Sequence, residues 1–333
     1  MAKLNDKAIE AMLNKHGAND DTDVSLIDIE DLSSDEQILR MKKDVVAYNK
    51  MLREKRTFVN EVLTELIPFT KENLYLIAAY SGSGKSTLAA NIAYPLWQQG
   101  KKILIISNEE TDTDIMMRLG ALHLGLNFNN YKQNRMEIAD QARITALFKD
   151  IRQFVHIIDN TYKNGLTSKI EGVQNALTAV QHKDYACVMI DYFQLVKYSV
   201  NDRSKKTYDV LNDFRTWLGR YIKTSDTPVV LFAQLYSQSK RPGKELDTRL
   251  KECTSIIETS TVILEVIPNY EDRCSDFLVH KNRFGGEIVG RKVTLGFDKG
   301  RFVPYTDAFK SSIVHERLDS LREQTKEVEV ADD

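Results

Sequence analysis

The chain is poor in several things, and each shortage excludes a class of protein. No run approaches the roughly 20 apolar residues needed to cross a bilayer. The opening MAKLNDKAIE lacks the apolar core of a signal peptide. A cytoplasmic protein with no membrane contact is therefore expected. Cysteine is scarce: Cys187, Cys253 and Cys274 form no close pair, which suggests neither a zinc site nor a disulfide framework. An excess of positive charge is also missing, since the formal net charge is -2. A protein coating nucleic acid over its whole surface would be basic, so any contact with DNA must be local, as in a lined pore or groove. There is no internal repeat and no low-complexity tract. What remains is an ordinary globular composition, 42% hydrophobic and 28% charged, over 333 residues. That length suits one large domain with appendages or two modest ones.

Three regions are expected. Residues 1–32 are polar and acidic, with Asp20, Asp21, Asp23, Asp28, Glu30 and Asp31 close together, the pattern of a flexible segment. Ser33 and Glu36 have capping-box spacing, and a linker-type helix is expected over 33–56. Ile38, Met41, Val45, Tyr48 and Leu52 form one apolar stripe on it. The stripe packs either on its own domain or on a neighbouring subunit. From 57 to 306, apolar strand-like runs alternate with helical patterns. The runs are Leu74–Ala79, Lys102–Ser107, Phe154–Asp159, Ala186–Asp191, Pro228–Gln234 and Val262–Pro268. Helical patterns cover Lys85–Gln98, Asp112–Leu124, Ile138–Phe154, Thr167–Gln181 and Lys205–Lys223. Continuous apolar strands between helices predict an α/β fold, a mostly parallel twisted sheet covered on both faces. Asp276–Arg283, Glu287–Phe297 and Phe302–Tyr305 read as an antiparallel extension, and 307–333 as a polar helix with an acidic tail.

The sharpest motif is Ala79-Tyr80-Ser81-Gly82-Ser83-Gly84-Lys85-Ser86-Thr87, between an apolar strand and a helix. This is the context of a phosphate-binding loop. Its glycines let backbone N–H groups turn toward phosphate, and the helix N-terminus adds its positive end. Lys85 is expected on the β/γ-phosphates of ATP and the Ser86 hydroxyl on Mg²⁺. Ala79 stands where the motif has its first glycine, which is tolerable if that residue keeps a strand conformation. Val188-Met189-Ile190-Asp191 ends a second strand in a carboxylate, at the edge where ligands bind in open α/β sheets. Asp191 is a candidate Mg²⁺ partner, or else caps a turn. A third strand ends Ser107-Asn108-Glu109-Glu110. A carboxylate there suits a general base for the attacking water, or merely favours the start of the next helix. Gln234, at the end of Pro228–Gln234, is an amide that reads the γ-phosphate or the water, or else a solvated strand end.

Together these segments resemble the C-terminal motor domain of DnaB-type replicative helicases, a RecA-like P-loop family, from about Tyr75 to Tyr305. The family also has Ala in place of the first glycine. Ser107-Asn108-Glu109-Glu110 with Ile115-Met116-Met117-Arg118 resembles its Ser-Leu-Glu-Met and following helix, which puts its catalytic glutamate on Glu109. Met189-Ile190-Asp191-Tyr192-Phe193-Gln194-Leu195 resembles the family's Met-Ile-Asp-Tyr-Leu-Gln-Leu, and Ala233-Gln234-Leu235 its Ser-Gln-Leu sensor. Lys281-Asn282-Arg283-Phe284-Gly285-Gly286 resembles its Lys-Gln-Arg-Asn-Gly, a pair of cations that reaches the next subunit's ATP site. Leu250-Lys251-Glu252-Cys253-Thr254-Ser255-Ile256 resembles the loop that touches single-stranded DNA, with Lys251 for Arg and Thr254 for Gly. Arg203, Lys205 and Lys206 lie in a second candidate DNA loop.

The resemblance implies an ATP-hydrolysing DNA helicase acting in replication as a homo-oligomer, a hexameric ring on single-stranded DNA. Backbone contact without sequence preference suits the lack of an aromatic stacking platform. A helicase loader or primase is a candidate partner. Only some seventy residues precede the core, so the family's N-terminal domain is expected to be reduced, as in a phage or mobile-element protein working in a bacterial or phage-infected cell. Two other readings stay open: a RecA-like recombinase that pairs strands, and a non-motor ATP switch that loads or regulates.

Overall fold

The computed structural model describes residues 42, 43, 45, 58–161, 169–191, 207–225, 227–236, 246–250 and 256–316. The chain divides into two units, Met1–Lys50 and Met51–Asp333. Of the expected 33–56 helix only Lys42, Lys43 and Val45 are described; they are helical and exposed. The rest of that helix and the 1–32 segment lie outside the described residues, as does 317–333.

In the second unit the apolar runs become one sheet. Its strands are β1 (Leu74–Ala79), β2 (Lys102–Ser107), β3 (Val155–Asp159), β4 (Tyr185–Asp191), β5 (Val229–Gln234), β6 (Val262–Asn269), β7 (Cys274–Asn282), β8 (Lys292–Asp298) and β9 (Arg301–Pro304). The spatial order is β3-β2-β4-β5-β1-β6-β7-β8-β9. The first six in this order run parallel, and β7, β8 and β9 add to β6 as antiparallel neighbours.

Side chains alternate along each strand, so each strand feeds two cores. From β1, Tyr75, Ile77 and Ala79 enter one core, while Leu74, Leu76 and Ala78 enter the other. The first core is roofed by α2 (Lys85–Gln98) and α3 (Asp112–Leu124), and the second by α7 (Ile170–Val180) and α8 (Thr207–Thr224). All six β1 residues are buried. A parallel strand in this position is covered on both faces, which is why the run has no polar alternation. Truncating a β5 core side chain such as Leu231, 0% exposed, to Ala would cost about 2–5 kcal/mol.

Two elements differ from the sequence reading. The single helix expected over Ile138–Phe154 is two, α5 (Ile138–Ala146) and α6 (Phe148–Phe154), separated at Leu147. The reason is a change of packing target. Ile144 enters a small cluster with Met117, Ala121 and Phe128, whereas Ile151 packs on the main core. The strand expected from Glu287 begins at Lys292, after a short 3-10 turn over Gly286–Ile288 and Gly290 at φ +82°. Two short helices went unread, α1 (Glu61–Leu66), capped by Asn60, and α4 (Phe128–Lys132), capped by Asn127. Among the described residues no helix is long and apolar enough to cross a membrane.

Candidate active site

The ends of β1, β4, β5 and β2 lie side by side at the carboxyl edge of the parallel sheet, where open α/β sheets hold ligands. Ala79 is the last residue of β1, wholly buried, and pairs with Gln234 on one side and Val266 on the other. It keeps strand geometry, so the first position of the loop has no need of glycine. Gly82 and Gly84 do need it: their φ angles are +76° and +84°, a region L side chains avoid. The loop then enters α2 at Lys85, with Gly84 as its cap. Ser81 is exposed, Ser83 and Lys85 are buried, and Ser86 and Thr87 are half-buried.

Ser86 Oγ donates to Asp191 Oδ2 at 2.8 Å, which brings two of the expected residues together. Asp191 is 3% exposed. Its second oxygen, Oδ1, is buried without a hydrogen-bond partner among the described residues. Burial is the main reason its carboxyl is pushed up to about 6. The Ser86 hydrogen bond opposes that rise, Glu109 and Glu110 add to it, and Lys85 opposes it. The donor set of a serine hydroxyl and a carboxylate with one oxygen to spare fits a divalent cation such as Mg²⁺, which prefers hard oxygen ligands and keeps places for phosphate and water.

β2 and β4 are in register, Ser107 beside Asp191, and Asn108 N–H donates to the Asp191 carbonyl at 2.7 Å. This places Glu109 and Glu110 at the same edge. The two differ in engagement. Glu110 is held by Arg118, whose Nε and Nη2 both donate to its carboxylate. Arg118 also donates to Thr87 Oγ1 at 3.0 Å and lies over the Phe128 ring. Glu109 is exposed. Sequence reading assigned no role to Arg118, which ties the first turn of α2 to the β2 edge. Beside the loop lies a cavity of about 280 Å³, lined by Gly82, Gly84, Asn127, Tyr270 and Arg273 among others. Tyr270, 73% exposed, donates to the Gly82 carbonyl at 2.8 Å.

Lys281 and Arg283 are close to each other but stand apart from these residues. Arg283 N–H donates to the Thr261 carbonyl, and Thr261 N–H to that of Leu74, the first residue of β1. Ala79 lies at the other end of that strand, roughly 17 Å along it at 3.3 Å per residue. Within one chain the two cations dock on backbone. Lys281 Nζ donates to the Ile257 carbonyl at 2.6 Å and to that of Glu258 at 3.1 Å, and Arg283 Nη2 donates to the Glu258 carbonyl at 2.7 Å. Burial and the neighbouring Arg283 hold the Lys281 ammonium below its usual value, against the pull of Glu258. Arg203, Lys205, Lys206, Lys251 and Glu252, expected at DNA, lie outside the described residues.

Comparison with known proteins adds the family. Among solved structures, the chain is similar to an isolated ATPase domain, with a TM-score of 0.64 and 19% identity over 82% of this chain and 99% of that one. It is also similar to a DnaB-like replicative helicase studied for its interactions with primase, with a TM-score of 0.63 and 18% identity over 90% of this chain and 71% of that one. At such identities these likenesses establish the fold. No curated protein matches in sequence. A family model of the DnaB-like helicase C terminal domain matches residues 59–302, most of the chain, and so the protein belongs to the DnaB-like helicases, ATP-driven enzymes that unwind DNA in replication.

Proposed function

We propose that this helicase works as a hexameric ring defined by one requirement: each ATP lies between two copies of the chain. The observation that carries this reading is the placement of Lys281 and Arg283 at the far edge of the sheet from their own phosphate loop. One copy supplies Lys85, Ser86, Asp191, Glu109 and Gln234. The next supplies the two cations.

The chemistry follows from the side chains. Backbone N–H groups from Ser81 to Thr87 cradle the phosphates, and Lys85 neutralises charge on the β/γ oxygens. Asp191 and Ser86 hold Mg²⁺, which supplies further charge neutralisation at the phosphates when bound. Glu109 takes a proton from the attacking water. It is the better base of its pair, because Arg118 occupies Glu110. Gln234 sits beside Ala79 in register and senses the γ-phosphate. Arg283 and Lys281 stabilise the charge that develops on it, so turnover depends on assembly. The cavity beside Tyr270 and Arg273 takes the nucleoside end. Lys251 and Glu252, with Arg203, Lys205 and Lys206, form the contacts to single-stranded DNA. Work in the cytoplasm, and a helicase loader or primase as partner, complete the reading.

A mixing experiment tests the shared site. Lys85→Ala and Arg283→Ala should each lose ATP turnover, while Arg283→Ala still binds nucleotide. Mixed rings contain some interfaces with an intact loop facing an intact arginine, so the mixture should recover a measurable part of the activity. No recovery on mixing, or full turnover by an isolated monomer, overturns the assignment across the interface. A fork-unwinding assay with each strand tailed in turn then gives the direction of travel. ATPase stimulated by DNA without strand displacement would point to an ATP switch, and open filaments to a recombinase.

A further inference from the structure

A second buried charge cluster lies away from the nucleotide. Glu265 sits in the middle of β6, 2% exposed, between Leu264 and Val266. A carboxylate at that depth persists only with partners. Arg249 forks onto it, Nη1 to Oε1 at 2.5 Å and Nη2 to Oε2 at 2.7 Å. His280 Nε2 lies 2.7 Å from Oε2. Arg249 Nη1 donates also to Tyr80 Oη at 3.1 Å.

The members come from three working parts. Tyr80 opens the phosphate loop. Arg249 ends a short helix, α9 (Leu246–Arg249), and its carbonyl accepts from Tyr236 N–H at 2.8 Å, while Leu250 bridges to Leu235 just after Gln234. It thus anchors the stem that joins the sensor strand to the residues before α10 (Ile256–Thr259). His280 directly precedes Lys281. Here the β6–β7 register slips between Ile263 and Leu264, so His280 and Lys281 both fall opposite Ile263. A slip of one residue moves the side chains beyond it to the other sheet face. Lys281 and Arg283 thereby share the face of Glu265.

Stability alone does not account for the cluster. Apolar side chains of similar volume serve a core at least as well as a buried ion pair. Arg249 Nε is moreover buried without a hydrogen-bond partner among the described residues, a cost that a cluster kept only for stability would not carry. What a forked pair does supply is one fixed relative placement of the groups it joins.

We infer that Glu265 is a positioning residue that, through Arg249, Tyr80 and His280, locks the phosphate loop, the stem at Leu246–Leu250 and the strand bearing Lys281 into a common register, so that nucleotide at the loop is felt at the stem. This rests on the helicase reading above, and the test separates the two. Backbone hydrogen exchange over 246–259 is followed with and without Mg²⁺ and adenylyl imidodiphosphate, in the parent chain and in the double variant R249M/E265L. The double variant removes both charges together and should keep its melting temperature within a few degrees. In the parent, nucleotide should slow exchange at the stem at least threefold; in the double variant that response should vanish while nucleotide still binds. A parent stem indifferent to nucleotide, or a double variant with the parental response, overturns the inference. ATPase with and without single-stranded DNA is measured on the same samples. No stimulation in the parent would count against the helicase reading, whereas loss of stimulation confined to the double variant supports Glu265.

Discussion

Asp191 and Glu265 are buried to nearly the same depth, 3% and 2% exposed, yet their acidities move in opposite directions. Burial pushes Asp191 up to about 6, with only Ser86 and Lys85 pulling back. Burial pushes Glu265 upward as well, but hydrogen bonds from His280 and Arg249 and their charges bring it down to about 2. The difference lies in the partners. Both Glu265 oxygens already face cationic donors. Asp191 has one hydroxyl and a bare oxygen. Depth therefore does not set the charge state; the supply of positive partners does. A saturated carboxylate is a joint, and an unsaturated one at the mouth of a phosphate loop is a place for a ligand.

The contrast can be broken from either side. The largest effect should come from Asp191→Asn, which should lower ATP turnover on the order of a hundredfold or more, measured at saturating Mg·ATP. Next, Glu265→Leu alone leaves Arg249 buried without its carboxylate and should destabilise the fold by about 3–5 kcal/mol in denaturant melts near neutral pH. Because Glu265 has a lowered folded-state value against 4.5, its contribution is present above about pH 4.5 and fades as pH falls toward 2. The penalty of Glu265→Leu should shrink over that window.

Asp191 has the reverse sign. Its folded value is raised from 3.8 to about 6, so its contribution is present below pH 3.8 and is lost as pH rises through 6. Without metal or nucleotide, Asp191→Asn should melt higher than the parent at pH 7.5, by roughly 3 kcal/mol, and equal to it near pH 3.5. Mg·ATP should narrow that gap by stabilising the parent alone. The smallest effect is Ser86→Ala, which removes one hydrogen bond to a charge. It should weaken Mg·nucleotide binding and lower stability by about 1.5 kcal/mol at pH 7.5. If Asp191→Asn instead destabilised the metal-free protein as much as Glu265→Leu, the distinction between joint and ligand place would fail.

Much of the nucleotide edge could be read from the sequence, because it is local. Ala79 to Thr87 are contiguous, and Asp191 and Gln234 each end an apolar run whose length alone marks it as a buried strand. Register then brings them together with no further information needed. The Glu265 cluster could not be read that way. A lone Glu in Val262–Asn269 does signal a buried charge in need of a partner. Nothing in the sequence says that the partners are Arg249 and His280, since a one-residue slip between β6 and β7 decides what shares a face. Leu147 is similar: the apolar pattern runs through it, and only the change of packing target breaks the helix. The expected DNA contacts at Arg203, Lys205, Lys206, Lys251 and Glu252 rest on resemblance alone.

The setting of β1 has a mechanical consequence. It carries the phosphate loop at its end and is bonded on both sides, to β5 over six residue pairs and to β6 over five. Pull exerted on the loop along the strand loads both ladders in shear, so many hydrogen bonds resist together and none is peeled singly. Tension generated where ATP is held can pass into the whole sheet before the strand that carries it gives way.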